Sequence, residues 1–237
     1  MKYFSGKELE DRAINIIEKF DTSYLNDPDS LPEEELLYSF GLDLQYVNFC
    51  VPNVLGAFVF EAGYVRILNS NGEPYDQYFE KNVVLIDSFE ARKNLHRAKF
   101  TILHEVSHFI LHSKIQKKIH IDGKSQIRYF LKNNNHRELK TDEDVIEWQA
   151  NYLASCLQIN YKALDSFIND LKSNYEYPSK GGFLYMDEDE RECIIEKTSR
   201  QFNVSFRAAE IRLEVRKYIA PNNQSESYYK WNGIPYR

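Results

Sequence analysis

A strongly apolar segment with three ionisable side chains places the tightest limit on how this chain can fold. Residues 100–111 read FTILHEVSHFIL, with large aliphatic and aromatic residues on both sides of His104, Glu105 and His108. A helix this apolar is expected to be buried, and buried imidazoles and carboxylates need polar partners or a metal ion. Positions i and i+4 of an α-helix lie about 40° apart around the axis and about 6 Å apart along it, so both histidines can reach one ion.

These residues form an HExxH motif, which is typical of zinc sites. Glu105 lies at the edge of the same helix face, from which its carboxylate can reach a metal-activated water without binding the ion. The alternative is a helix with two hydrogen-bonded histidines and a surface glutamate. His112 lies about 12 Å from His104 along the axis and cannot share one ion with both other histidines. We therefore expect His112 either to support a ligand from behind or to lie at the surface.

A catalytic zinc ion needs a third protein ligand and an open position. The metzincin pattern would require glycine at 111 and histidine at 114, where this chain has Leu111 and Lys114, so that class is excluded. Glu147 begins a downstream helix and is the candidate. Asn151 lies one turn after it and could orient His104 or His108.

The spacing of Glu147 leaves an alternative open. A helix dipole favours acidic residues at a helix start, so Glu147 is equally well explained as a solvated residue there. The rival carboxylates that precede it are Asp142, Glu143 and Asp144.

The order of predicted elements indicates an α+β fold, mostly helical with a small β-sheet. Two strand candidates, in 54–61 and 64–70, are predicted to form a hairpin around residues 61–63, and a third covers 82–87. This third strand could offer an edge for an extended substrate backbone. The predicted helices cover 5–20, a short segment after Pro32, 88–112 with Ser88 as N-cap, 143–158, 160–173, 187–202, and 205–219 with Ser205 as N-cap.

Composition excludes several classes of protein. The chain has 237 residues and a net charge of −6, which argues against a protein that coats nucleic acid. No stretch approaches the roughly 18 apolar residues of a membrane span, and the first residues lack the apolar core of a signal peptide. The three cysteines contain no CxxC pair, so neither disulfides nor a cysteine zinc site is indicated. We expect a cytoplasmic protein.

Three segments resemble the ImmA/IrrE family of metallopeptidases. Residues 97–112, RAKFTILHEVSHFILH, are similar to the family signature RFTLAHELGHLLLH, and residues 147–154, EWQANYLA, resemble its E-x-x-A-N-x-F-A segment. The run from Gln201 to Leu213 is similar to the closing stretch F-x-V-S-x-x-A-x-x-x-R-L. The chain departs from the family at Ser107, where glycine is usual, at Asn160, where proline is frequent, and in a long basic linker over 113–142.

The resemblance implies a zincin-like metallopeptidase domain with a C-terminal helical hairpin. It implies Zn²⁺, with manganese possible, bound by His104, His108 and Glu147, and Glu105 as the catalytic carboxylate. Family members act in bacteria, phages and mobile elements and typically cleave a helix-turn-helix repressor. The expected domains are 1–178 for the peptidase, 179–220 for the helix pair and 221–237 for a tail.

We therefore expect a regulatory zinc endopeptidase. The alternative is a non-catalytic, metal-containing regulator that binds DNA or a repressor through its C-terminal helices. The helix pair is either a DNA-reading helix-turn-helix, whose cations would be Arg207, Arg212, Arg216 and Lys217, or a hairpin packed on the catalytic domain. The basic linker is a solvated loop, a docking surface for an acidic partner, or a lid.

Overall fold

The computed structural model of the chain describes residues 3–27, 31–52, 54–116, 142–174 and 187–220. Within these ranges the fold is mostly helical with one small sheet, which confirms the predicted α+β class. The α-helices are α1 (Gly6–Phe20), α2 (Glu33–Ser39), α3 (Ser88–Lys93), α4 (Leu95–Gln116), α5 (Asp142–Gln158), α6 (Tyr161–Ser173), α7 (Glu188–Gln201) and α8 (Phe206–Val215). The strands are β1 (Asp43–Phe49), β2 (Gly56–Val59), β3 (Gly63–Leu68), β4 (Pro74–Phe79) and β5 (Val83–Asp87).

The described residues group into two compact units. The first contains the sheet, α2, α3, α4 and residues 149–154 of α5. The second contains α1, the two ends of α5, and α6 to α8. The predicted boundary near residue 178 and the tail from 221 lie outside the described residues, as does most of the basic linker. Among the described helices, none combines the length and apolar character that a bilayer crossing requires.

The sheet is mixed, with strand order β2-β5-β1-β3-β4. Strands β1 and β5 are parallel, and the other neighbours are antiparallel. All five residues of β5 are buried, and the strand lies between β2 and β1. The prediction that 82–87 offers a free edge is therefore wrong, because a strand that is apolar on both faces belongs in the interior of a sheet.

The predicted hairpin between β2 and β3 is also wrong. Strand β2 is buried at all four positions and pairs with β5, whereas β3 alternates buried and exposed positions and pairs with β4. The hairpin turn instead follows β3, where the Asn69 side-chain carbonyl accepts hydrogen bonds from the backbone of Asn71 and Glu73. Gly72 adopts a positive φ of 80° in this turn, a conformation that suits glycine.

The single helix predicted over 88–112 is two helices. The carboxylate of Asp87 accepts from the backbone N–H groups of Phe89 and Glu90, so Asp87, not Ser88, caps α3. Asn94 adopts an extended conformation that ends α3, and its side chain then accepts from the backbone of Arg97 to start α4. The HExxH motif therefore lies on a helix of its own.

A buried ion pair joins the helices of the second unit. The guanidinium of Arg212, on α8, donates to both carboxylate oxygens of Glu10, on α1, at 2.8 and 3.1 Å. Its Nε donates to the backbone carbonyl of Ile159 at 3.0 Å. Burial raises the pKa of Glu10, but the attraction and hydrogen bonds of Arg212 outweigh burial and lower it overall. The arginine of the closing sequence motif thus has a structural role.

Candidate metal centre

Helix α4 packs its apolar side against the sheet of the first unit. Ile102 and Val106 are buried in one cluster with Phe58 of β2 and with Val84 and Ile86 of β5. Residues four positions apart, such as Ile102 and Val106, lie on the same face of a helix. The apolar residues that flank the motif therefore form the face that packs on the sheet. This packing holds the HExxH residues in place, and the prediction of a buried helix over this segment is confirmed.

The two histidines of the motif face each other at close range. His104 is 9% exposed and His108 is fully buried, and their Nε2 atoms lie 3.0 Å apart. Two nitrogens bound at about 2.0–2.1 Å to one tetrahedral zinc ion would lie about 3.3 Å apart. The observed separation is close to that value, so the pair fits a shared ion.

Glu147 is the third candidate metal ligand. One imidazole nitrogen from each of His104 and His108 and one carboxylate oxygen of Glu147 all lie within 4.8 Å of one another. Glu147 and its rival Asp144 are both partly buried and Asp142 is exposed, and of these three carboxylates it is Glu147 whose oxygen belongs to the cluster. Among the described residues, this is the cluster of histidine, cysteine and carboxylate groups whose spacing suits a metal ion.

Glu105 lies in a tight pocket between α4 and the sheet. The side chain is 1% exposed. A Cβ atom built on Gly56, at the start of β2, would lie 3.1 Å from the Glu105 Oε1 atom and 2.5 Å from the Thr101 Cγ2 atom. The backbone of β2 therefore approaches the Glu105 carboxylate closely, and the absence of a side chain at position 56 permits this.

The family model of the IrrE N-terminal-like domain, Peptidase_M78, matches residues 65–214. The chain belongs to this family. A search of curated proteins finds no match. Family membership confirms the resemblance read from the motifs and supports a metallopeptidase-type function, which in turn implies a bound metal ion.

In this IrrE-like domain, His112 lies behind the motif. It is 1% exposed, and its Nδ1 atom is 3.2 Å from the Nδ1 atom of His108. Its Nε2 atom is 3.1 Å from the Oε1 atom of Gln149 on α5, a side chain that is fully buried. Of the two roles expected for His112, the structure therefore favours support of a ligand over a surface position.

Asn151, and not Gln149, was the residue of α5 predicted from the sequence to orient a histidine ligand. Within the described residues no hydrogen bond joins Asn151 to His104 or His108, and its side chain is only partly buried. Gln149 lies about 200° from Glu147 on an ideal helix, so an argument from a single helix face excludes it. One feature of the sequence does point to a residue such as Gln149. His112 lies on the same helix face as the first two histidines, and a buried imidazole needs a hydrogen-bond partner of its own.

In this IrrE-like chain, three of the four candidate DNA-binding cations form ion pairs with carboxylates of the same chain. An arginine paired with a carboxylate contributes little to a phosphate-binding surface. The pairs are Arg207 with Glu210, Arg212 with Glu10, and Arg216 with Asp165. Glu210 also binds Arg191 of α7, an ion pair that ties α7 to α8. These contacts favour a packed helical hairpin.

Proposed function

We propose that this chain is a zinc-dependent endopeptidase that cleaves a helix-turn-helix transcriptional repressor. The observation that carries the proposal is the donor set of His104, His108 and Glu147, whose ligand atoms lie within 4.8 Å of one another on helices that also hold the buried Glu105. Two imidazoles and one carboxylate are the ligands of catalytic zinc sites in the HExxH peptidases. A purely structural site would have no need of Glu105.

The donor chemistry favours zinc over manganese. Imidazole nitrogen suits zinc, whereas manganese favours carboxylate, carbonyl and water oxygens. Two of the three candidate donors here are imidazoles, and their nitrogens are already 3.0 Å apart. When bound, a zinc ion would supply Lewis acidity, which polarises a carbonyl group and makes water more acidic.

Glu105 is the proposed general base and general acid. It takes a proton from the attacking water and later delivers this proton to the amine that leaves when the peptide bond breaks. Burial at 1% exposure keeps its carboxylate in a fixed position. The approach of β2 at Gly56 restricts that position further. This proposal therefore requires a carboxylate at position 105, held by the sheet.

The proposal is tested with the Glu105→Gln variant and a helix-turn-helix repressor as substrate, taken first from the genes adjacent to the one for this chain. We expect the variant to bind zinc as the unaltered chain does and to cleave the repressor at least about 100-fold more slowly, because amide cannot accept the proton. Glu90→Gln, which changes a glutamate on α3 outside the site, is the matched control and should cleave normally. Cleavage is followed by mass spectrometry of the fragments.

Two results would count against the proposal. Full cleavage by zinc-loaded Glu105→Gln would refute the role of Glu105. A chain that shifts DNA or binds the repressor without cutting it would favour the alternative, a metal-containing regulator that acts through its C-terminal helices.

A further inference from the structure

Three histidines of α4 and one glutamine of α5 form a continuous line of buried polar contacts. The Nε2 atoms of His104 and His108 are 3.0 Å apart, and the Nδ1 atoms of His108 and His112 are 3.2 Å apart. The line continues to Gln149, whose Oε1 atom is 3.1 Å from the His112 Nε2 atom. Gln149 is not a candidate ligand, so its place in this line calls for a different role.

The orientation of the Gln149 amide sets the direction of the hydrogen bonds in the line. Its oxygen faces His112 and accepts, so in this orientation the Nε2 atom of His112 carries the hydrogen. Burial disfavours a charged imidazole, and a neutral imidazole carries one hydrogen, so the Nδ1 atom of His112 accepts. The Nδ1 atom of His108 therefore donates to His112, and the Nε2 atom of His108 carries no hydrogen.

We propose that Gln149 is a positioning residue that acts through His112 to prepare His108 as a metal ligand. By holding His108 in the Nδ1–H form, Gln149 directs the lone pair of the His108 Nε2 atom towards His104, the side on which the ion of the proposed function would lie. The proposal rests on that function, since it concerns how its ligand is prepared. Partners that fix a ligand histidine in this way typically contribute 10–100-fold to metal affinity.

The first test measures zinc affinity by competition with a chromophoric chelator, on the full chain. Gln149→Met keeps the size of the side chain but removes the acceptor, and we expect about 10–100-fold weaker binding. Gln149→Glu restores an acceptor and should recover most of this loss. Gln158→Met, which changes another buried glutamine of the same helix, is the matched control and should bind as the unaltered chain does.

The second test needs neither metal nor activity. Long-range ¹H–¹⁵N correlation spectra of the metal-free chain report which nitrogen of each imidazole carries a hydrogen. We expect the Nδ1–H form for His108 and the Nε2–H form for His112. In Gln149→Met, His112 is released from its acceptor, and we expect both histidines to lose the single-tautomer signature.

The outcomes separate this proposal from the function on which it rests. If the unaltered chain binds zinc and a folded Gln149→Met chain binds it equally well, the positioning role is refuted and the peptidase proposal stands. A spectrum with His108 in the Nε2–H form refutes the positioning role by itself. If the unaltered chain binds no zinc, the proposed function fails and this inference fails with it.

Discussion

Gly56→Ala tests how closely the sheet approaches the carboxylate of Glu105, the proposed general base. The new methyl carbon would lie 2.5 Å from the Thr101 Cγ2 atom, 3.1 Å from the Glu105 Oε1 atom and 3.3 Å from the Leu85 carbonyl oxygen. Carbon atoms in contact normally lie about 3.5–4.0 Å apart, so β2 and α4 must separate by roughly 1 Å to relieve the first clash. That displacement would also move Glu105.

The expected loss of stability is about 1–2 kcal/mol. Overpacking a filled core costs about 1–3 kcal/mol. Replacing glycine by alanine also stiffens the unfolded chain, which offsets this by about 0.4–1 kcal/mol. The free energy of unfolding is measured by urea titration monitored by circular dichroism, and cleavage of the proposed repressor substrate is measured on the same samples. Because Glu105 shifts, we expect the cleavage rate to fall more than stability alone would explain.

Thr101→Ser supplies the decisive control. It removes the Cγ2 methyl group that clashes and keeps the hydroxyl that donates to the Arg97 carbonyl oxygen at 2.8 Å. The double variant should therefore recover about 1 kcal/mol relative to the sum of the two single variants. If Gly56→Ala is as stable as the unaltered chain, or if Thr101→Ser brings no recovery, the close approach of β2 to α4 is wrong.

Three further predictions concern stability. Arg212→Met leaves Glu10 buried without its partner and should cost about 3–5 kcal/mol at pH 7, measured by urea unfolding. The pKa of Glu10 is lowered in the folded chain, so its stabilising effect is present above about pH 4.3, its unfolded value, and is lost as pH falls through the folded pKa. The deficit of Arg212→Met should accordingly shrink below about pH 4, and a constant deficit down to pH 3 would contradict this. Asp87→Ala removes the cap of α3 and the hydrogen bond from the Phe49 backbone, and should lower the free energy of unfolding by about 1–2 kcal/mol, whereas Ser88→Ala should change it by less than about 0.5 kcal/mol.

Most of the helices were predictable because their signals are local, whereas the break at Asn94 between α3 and α4 was not predicted. Ser205 at the start of α8 caps it as expected, and Asn160 caps α6 through a hydrogen bond from the Ala163 backbone. The proline that is frequent in the family at position 160 would also favour the start of a helix there. The asparagine in this chain is explained by its role as the N-cap of α6.

Strand pairing was not predictable, because it depends on residues far apart in the chain. The segment around residues 61–63 has the composition of a hairpin turn, yet the strands on either side of it pair elsewhere. What decides the pairing is burial on both faces of β2 and β5, which the sequence shows only as short apolar runs.

The spacing of the two candidate histidine ligands was predictable, and the side chains that support them were not. The spacing of His104 and His108 follows from one helix, whereas the contact of Gln149 with His112 depends on how α5 packs against α4. Helical arithmetic gives the direction of a Cβ atom, and it does not give the position of a long amide side chain relative to a second helix.

A crystal structure of the zinc-loaded chain, with data collected on both sides of the zinc absorption edge, would show whether His104, His108 and Glu147 bind one zinc ion. We expect one anomalous peak per chain, about 2.0–2.2 Å from the Nε2 atoms of His104 and His108 and from a carboxylate oxygen of Glu147. The absence of a peak at this position, or a peak bound by other residues with Glu147 turned away, would contradict this expectation.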